Sequence, residues 1–238
     1  MTRSEHVVWH DVECGGYEAD LELWVELARA AAGPVLDVGA GTGRVSLRLA
    51  AAGFDVTALD HDPELLAVLS ERAAEAGVEV ETVLADAAAF ELPRRFALIA
   101  VPMQTLQLLD EREGFFASAR RALLPGGLVA AAIADALEAF DESAALPLPD
   151  VGEEDGRRFL SQPVAVRELP SAARIERIRQ IIEPDGGRTS VDDVTELRAV
   201  DADALAEQAR RHGLRAEPPL EIPPTGEHVG STVVMLRG

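Results

Sequence analysis

Residues whose types and spacing could do chemistry gather early in the chain. Asp37 is followed at alternate positions by Gly39, Gly41 and Gly43, directly after the apolar run Val35–Val38 and directly before a helical pattern. Glycine has no Cβ, so such a turn lets backbone lie against a ligand and adopt φ angles that other residues avoid. Three ligand classes use glycine-rich turns between a strand and a helix. A phosphate-binding loop ends in Gly-Lys-Ser or Gly-Lys-Thr, and here the chain reads Gly43-Arg44-Val45. A dinucleotide fingerprint, G-x-G-x-x-G, wants its third glycine at 44 or 46, counted from Gly39 or Gly41. Those positions hold Arg44 and Ser46, so the glycine for close helix–strand packing is missing. What remains is acid-x-G-x-G-x-G. Asp60 ends the next apolar run, where a carboxylate can accept hydrogen bonds from both hydroxyls of a ribose. Its other reading, the N-cap of the following helix, suits Asp62 better, because Asp62 directly precedes Pro63.

These residues need a scaffold that brings strand ends together. Short apolar runs at Val35–Val38, Asp55–Leu59, Val78–Leu84, Phe96–Val101 and Leu128–Ala134 read as strands. Helical patterns at Gly43–Ala52, Pro63–Ala76 and Glu111–Leu124 lie between them, the last stopped by Pro125-Gly126-Gly127. Such alternation implies right-handed crossovers and a parallel sheet. Phe96–Val101 is wholly apolar and is expected to be buried on both faces. Ahead of the first strand, Tyr17–Ala32 reads as a helix with Leu21, Trp24, Val25 and Ala28 on one face. The segment Asp141–Gly156 is rich in Pro, Gly and acid and reads as a loop. Arg158–Leu169, Ala173–Glu183 and Ser190–Val200 read as antiparallel strands. Asp201–His212 is a helix capped by Asp201, and Leu214–Ile222 and Ser231–Leu236 close the sheet. The expected fold is α/β: a doubly wound, Rossmann-like, mostly parallel seven-stranded sheet with helices on both faces, plus an antiparallel β insertion after the fifth strand. The expected divisions are a ligand-binding core with its N-terminal helix (1–140), an insertion or lid (141–200), and the last helix and closing strands (201–238).

The motif from Asp37 to Gly43, with Asp60, resembles the first motif of class I S-adenosylmethionine-dependent methyltransferases. The resemblance runs from about Trp9 to Ile133, with a looser match over Leu214–Leu236. It implies S-adenosyl-L-methionine as cofactor, held by Asp37, Gly39, Ala40, Gly41, Gly43 and Asp60. It also implies that Asp86, in Leu84-Ala85-Asp86-Ala87, accepts from the adenine amino group while the backbone N–H of Ala87 meets a ring nitrogen. A plain turn carboxylate is the other reading of Asp86. His61 either packs on the adenine edge or is an exposed turn residue. Val101-Pro102-Met103-Gln104-Thr105-Leu106-Gln107 is the stretch that faces the methionine part and the acceptor in this family, which puts Pro102 and Gln104 in the site. It is neither Asn/Asp-Pro-Pro-Tyr nor Pro-Cys, so it does not resemble DNA amino-methyltransferases or cysteine-nucleophile enzymes. It is similar to small-molecule N- and O-methyltransferases, whose loop commonly ends in a histidine; that position is Leu108. Tyr17 and Trp24 lie on a segment that often covers the cofactor in the family, and both also suit a core stripe. His10, Tyr17 and His228 are the candidate proton acceptors near the expected pocket. Insertions after the fifth strand shape the acceptor site in relatives and sometimes the dimer interface, so a homodimer is an expected assembly. The other reading of the segment is a purely structural sheet extension or a dimer contact. Replacing 141–200 with a short linker is expected to leave cofactor binding largely intact, provided the core still folds, and to destroy turnover.

Composition narrows the acceptor. The chain has 238 residues, 47% of them apolar, and a net charge of −20. A surface of that sign repels phosphate backbones and anionic lipid, so no nucleic acid and no membrane are expected as partners. The acidity itself reads as a solvated face and does not identify the substrate; it is the resemblance that implies a small-molecule methyl acceptor. The single cysteine, Cys14, and the acidic N-terminal stretch without an apolar core fit a cytoplasmic setting. No apolar run approaches the roughly 20 residues that span a bilayer. Two readings stay beside methyl transfer: a non-catalytic cofactor-binding or regulatory protein, and a nicotinamide oxidoreductase.

Overall fold

The computed structural model describes residues 3–134, 137–141, 143, 146–225 and 229–238. The chain opens with α1 (Glu5–His10), a wide π-type turn (Asp11–Gly15) and α2 (Leu21–Ala31). Then come β1 (Val35–Val38), α3 (Arg44–Ala51), β2 (Val56–Asp60), α4 (Pro63–Ala76), β3 (Glu81–Leu84) and β4 (Phe96–Val101). After β4 follow α5 (Thr105–Leu108), α6 (Glu113–Ala122) and β5 (Leu123–Ile133). The insertion holds β6 (Asp150–Glu154), β7 (Arg157–Leu169), β8 (Ala172–Ile182) and β9 (Arg188–Arg198), and α7 (Ala202–Arg211), β10 (Arg215–Ile222) and β11 (Ser231–Arg237) complete the chain.

The main sheet has seven strands in the order β10-β11-β5-β4-β1-β2-β3. The five from β3 to β5 are parallel, and β11 and β10 are antiparallel additions at one side. Strand order reverses between β1 and β4, so their carboxyl ends border the crevice where ligands bind in such sheets. Alternation along the strands feeds two cores. Leu36, Val38, Ile99 and Val101 face Phe115, Phe116 and Leu205 of α6 and α7. Val35, Leu98 and Ala100 face Trp24, Val25, Val45 and Leu49 of α2 and α3. β4 is buried along its whole length, as an all-apolar strand must be. Asp62 caps α4 by accepting from the backbone N–H groups of Glu64 and Leu65, with Pro63 next, and Asp201 caps α7 through Ala204. No helix among the described residues is long and apolar enough to cross a membrane.

The structure corrects several boundaries. β5 starts at Leu123, so Pro125-Gly126-Gly127 lies inside a strand that slips register against β4 between Phe96 and Leu98, and α6 ends before it. Tyr17 precedes α2 instead of lying on it. Asp20, in the N-cap position, makes no cap bond; its buried carboxylate accepts from Arg44 at 2.5 and 2.9 Å and from Trp24 Nε1 at 2.8 Å. Removing one partner of such a buried ion pair typically costs on the order of 3–5 kcal/mol. The expected loop 141–156 contains β6, which pairs antiparallel with β7. Asp155 and Gly156 turn the hairpin at φ 51° and 76°, the conformation a two-residue turn of this hand requires. The insertion is thus a four-stranded antiparallel sheet.

Candidate functional site

The glycine turn is built by position as well as by residue type. Gly39, Gly41 and Gly43 have φ of 74°, 55° and 97°, where an L side chain is strained. A Cβ on Gly39 would stand 2.6 Å from Thr105 Oγ1, one on Gly41 2.5 Å from the His10 ring, and one on Gly43 2.7 Å from Leu69 Cγ. The three glycines therefore admit three different neighbours: the segment after β4, the N-terminal segment, and α4. Backbone N–H groups of Gly39 and Ala40 donate to Leu59 O at 2.9 and 3.1 Å, fastening the turn to the end of β2. Asp60, at that end and almost wholly buried, accepts from Gly41 N at 2.8 Å through Oδ2 and from Asp62 N at 3.0 Å through Oδ1. Ala85 N donates to Asp60 O at 3.0 Å, which sets Asp86 and Ala87 beside it.

Asp37 stands beneath the turn. Its Oδ2 accepts from Ser46 Oγ at 2.6 Å, and its buried Oδ1 has no donor among the described residues. Burial pushes its pKa up to about 6, against the opposing pull of the Ser46 bond and Arg44. A folded-state value above the unfolded one means that the native state holds the extra proton, so stability falls as pH rises between about 4 and 6. Asp37→Asn is accordingly expected to raise the melting temperature at pH 8 and leave it unchanged near pH 4. The shift corresponds to about 3 kcal/mol at most. Thermal unfolding of both proteins at the two pH values checks this; an equal or lower melting temperature of Asp37→Asn at pH 8 contradicts it.

The N-terminal segment roofs the turn. Asp11 accepts from Thr42 Oγ1 at 2.7 Å and from both Arg72 Nη atoms at 3.0 and 2.5 Å. Burial pushes the Asp11 carboxyl up, but the Arg72 and Thr42 hydrogen bonds outweigh it and hold it below the ordinary value. The His10 ring then lies over Gly41, half-buried, with Nδ1 unpartnered; burial draws its pKa down, which favours neutral imidazole. The insertion sheet lies against this roof in turn. Trp9 meets Phe159 edge-on with centroids 5.0 Å apart, Val8 and Ile181 join them, and the Glu13 carboxylate accepts from Arg179 Nε and Nη2, each at 2.7 Å. Removing 141–200 would therefore strip the support from the segment covering the glycine turn. Cofactor affinity in that deletion therefore reports on this support as well as on the glycine turn.

The remaining sequence candidates divide. Pro102 is buried, its carbonyl accepts from Thr105 Oγ1 at 3.0 Å, and Met103 between Pro102 and Gln104 has φ 53°. A non-glycine residue held there marks a turn fixed by its surroundings. Asp86 accepts from Ala88 N at 2.8 Å, a turn carboxylate whose side chain stays exposed at the rim. Two further candidates border the cluster. His61 is 83% exposed on its side chain, with Nδ1 3.4 Å from Asp60. Tyr17 is buried in the core with Trp24, its carbonyl accepts from Arg44 at 2.7 Å, and the guanidinium lies 5.2 Å from its ring centre. His228 lies outside the described residues. Leu108 is exposed, whereas its neighbour Gln107 is a structural clamp that sequence reasoning missed. The Gln107 amide donates to Ala134 O at 3.0 Å and accepts from Ala134 N at 2.7 Å, fixing α5 to the end of β5. The Cys14 thiol is pushed up to about 11 by burial, which removes it as a nucleophile near neutral pH. Among the described residues no His, Cys, Asp and Glu cluster could hold a metal ion.

A strand-end glycine turn, a buried acid at the end of β2 and a reversed strand order now meet in one sheet. Residues 35–127 match the family described as Methyltransferase domain. Streptomyces venezuelae DesVI superposes with a TM-score of 0.76 at 22% identity, covering 98% of each chain. The chain has the fold of the class I S-adenosylmethionine-dependent methyltransferases. The glycopeptide N-methyltransferase MtfA, solved with S-adenosyl-L-homocysteine, shares this methyltransferase fold at 25% identity and a TM-score of 0.61, covering 98% of both chains. The ubiquinone biosynthesis O-methyltransferase of Pseudomonas putida is 35% identical over 109 residues, which are 44% of this chain and 47% of that protein. The chain thus spans about half the length of the curated relatives it matches.

Proposed function

We propose that the chain transfers a methyl group from S-adenosyl-L-methionine to a nitrogen or oxygen atom of a small molecule. The observation that carries this reading is the pairing of two buried carboxylates with a glycine cradle at the switch point of the sheet. The residues suit the cofactor. Among the described residues Asp60 accepts hydrogen bonds from two backbone N–H groups, with His61 Nδ1 3.4 Å away, so lone pairs remain for ribose hydroxyls. Asp37 Oδ1 lacks a donor among the described residues and suits the amino group of the methionine part, and Asp86 with the Ala87 N–H suits adenine. Bound S-adenosyl-L-methionine supplies a methyl group on a sulfonium, already activated for displacement. The chain's own task is to hold and align the reactants and exclude water. Gly39, Ala40, Gly41 and Gly43 let backbone approach closely. Thr105 and Met103 fix Pro102 and Gln104 along the acceptor side. The N-terminal roof and the insertion sheet close the crevice, and the insertion supplies the acceptor platform.

The −20 charge and the absence of Asn/Asp-Pro-Pro-Tyr after β4 argue against a nucleic-acid acceptor. The names of MtfA and of the ubiquinone relative agree with N or O transfer to small molecules. An actinobacterial small-molecule branch and a cytoplasmic setting, suited to one buried thiol, complete the reading. To test it, the protein is incubated with methyl-labelled S-adenosyl-L-methionine and a panel of small amines and hydroxy compounds. Label is expected in the small-molecule fraction, with S-adenosyl-L-homocysteine formed in equal amount. Tight cofactor binding without transfer to any member of a broad panel would favour a non-catalytic binding protein.

A further inference from the structure

A recess of about 510 Å³ is lined by Asp110, Arg112, Ser171, Arg198 and Ala199. It forms where the link between α5 and α6 meets the β7–β8 turn and the end of β9. Arg112 Nε donates to Leu106 O at 2.8 Å, its Nη2 is buried without an acceptor, and it makes no ion pair among the described residues. A half-buried cation beside a second cation is costly unless an anion joins them. That cost shows in Arg112, whose pKa is held below its usual range first by burial and then by Arg198, with Glu111 as the opposing charge on its own segment. Arg198 donates to Asp110 through Nε at 3.0 Å and also through Nη2, but the Asp110 side chain is 78% exposed. A surface pair of that kind contributes little and is readily exchanged for another anion. Ser171 adds a hydroxyl, and its carbonyl accepts from Ala199 N at 2.9 Å, which holds the turn against the end of β9.

We propose that this recess is an anion site that anchors an acidic group, phosphate or carboxylate, carried by the methyl acceptor; the proposal rests on the methyl-transfer reading above. Two guanidinium groups and a hydroxyl are the donor set that recognises such groups. Asp110 offsets Arg198 within the recess, so Arg112 is the lining cation that lacks a carboxylate of its own among the described residues. Gln107 links the recess to the reaction side. Its Nε2, besides clamping Ala134 at the end of β5, lies 3.4 Å from the carbonyl of Arg198. An acceptor held by its acidic end at Arg112 and Arg198 would have its remainder beside the segment that follows β4.

The test uses the full chain at low ionic strength, titrated calorimetrically with inorganic phosphate and separately with malonate. S-adenosyl-L-homocysteine is titrated in parallel. Saturable binding of at least one anion is expected, weakened tenfold or more in Arg112→Met and in Arg198→Met, and less in Arg112→Lys. Affinity for S-adenosyl-L-homocysteine should stay within twofold. Binding of phosphate alone assigns a phosphate-bearing acceptor, and binding of malonate alone a carboxylate. No saturable binding by the unaltered protein, or equal binding by the variants, overturns the proposal. If Arg112→Met does not melt cooperatively, Arg198→Met and Arg112→Lys decide. Loss of S-adenosyl-L-homocysteine binding with anion binding intact would count against the methyl-transfer reading alone.

Discussion

Gly41→Val is expected to abolish binding of S-adenosyl-L-homocysteine while leaving the sheet folded. The residue sits at φ 55°, which a β-branched side chain adopts only with strain. A Cβ there would stand 2.5 Å from both Cε1 and Nε2 of His10, so the roof over the turn must also lift. The valine methyls would then fill the cradle. Neither of the two large cores on the faces of the sheet includes Gly41, so the damage is local. Circular dichroism should show native secondary structure and a cooperative melt, and calorimetry should show at least about a hundredfold loss of affinity, roughly 2.7 kcal/mol. A folded Gly41→Val protein that binds normally would remove the glycine turn from the site.

Asp60→Ala is expected to weaken the same ligand strongly. A carboxylate that accepts two ribose hydroxyls loses hydrogen bonds worth on the order of 1.5–3 kcal/mol each, about tenfold or more per bond. The substitution also frees Gly41 N and Asp62 N, so part of the loss comes from a looser turn. Asp60→Asn separates the two contributions. It keeps one acceptor oxygen for the backbone and should lie between the wild type and Asp60→Ala. An unchanged dissociation constant in a folded Asp60→Ala protein removes this carboxylate from the ribose.

The parallel core could be read from the sequence because its signals are local. Buried strands such as Phe96–Val101 are continuous apolar runs, and Asp62-Pro63 states its helix start outright. The same holds for Asp37, the three glycines and Asp60, which stand at strand ends and so come together once the sheet forms. What escaped depends on distant partners. α1 is six residues long, too short to show a period, and it is secured by Phe159 and by the contacts of Asp11 that follow it. Asp20 carries no signal in the sequence, because its role is set by Arg44 of α3, which donates to its carboxylate. Gln107 carries no sequence signature, because its role is set by Ala134 on another element. β6 did leave a trace. Asp155-Gly156 is a strong hairpin dipeptide, outweighed there by the surrounding proline, glycine and acid. The misplacement of Tyr17 has a physical cause as well: the chain is still turning at Tyr17, where Arg44 holds its carbonyl, and α2 starts only at Leu21.

The most direct measurement is a calorimetric titration of the unaltered full chain with S-adenosyl-L-homocysteine, and separately with NAD. A glycine turn lacking the dinucleotide fold's packing glycine, with buried acids at Asp37 and Asp60, predicts saturable one-to-one binding of S-adenosyl-L-homocysteine and none of NAD. No heat and no shift in melting temperature at millimolar S-adenosyl-L-homocysteine, or preferential binding of NAD, would contradict it.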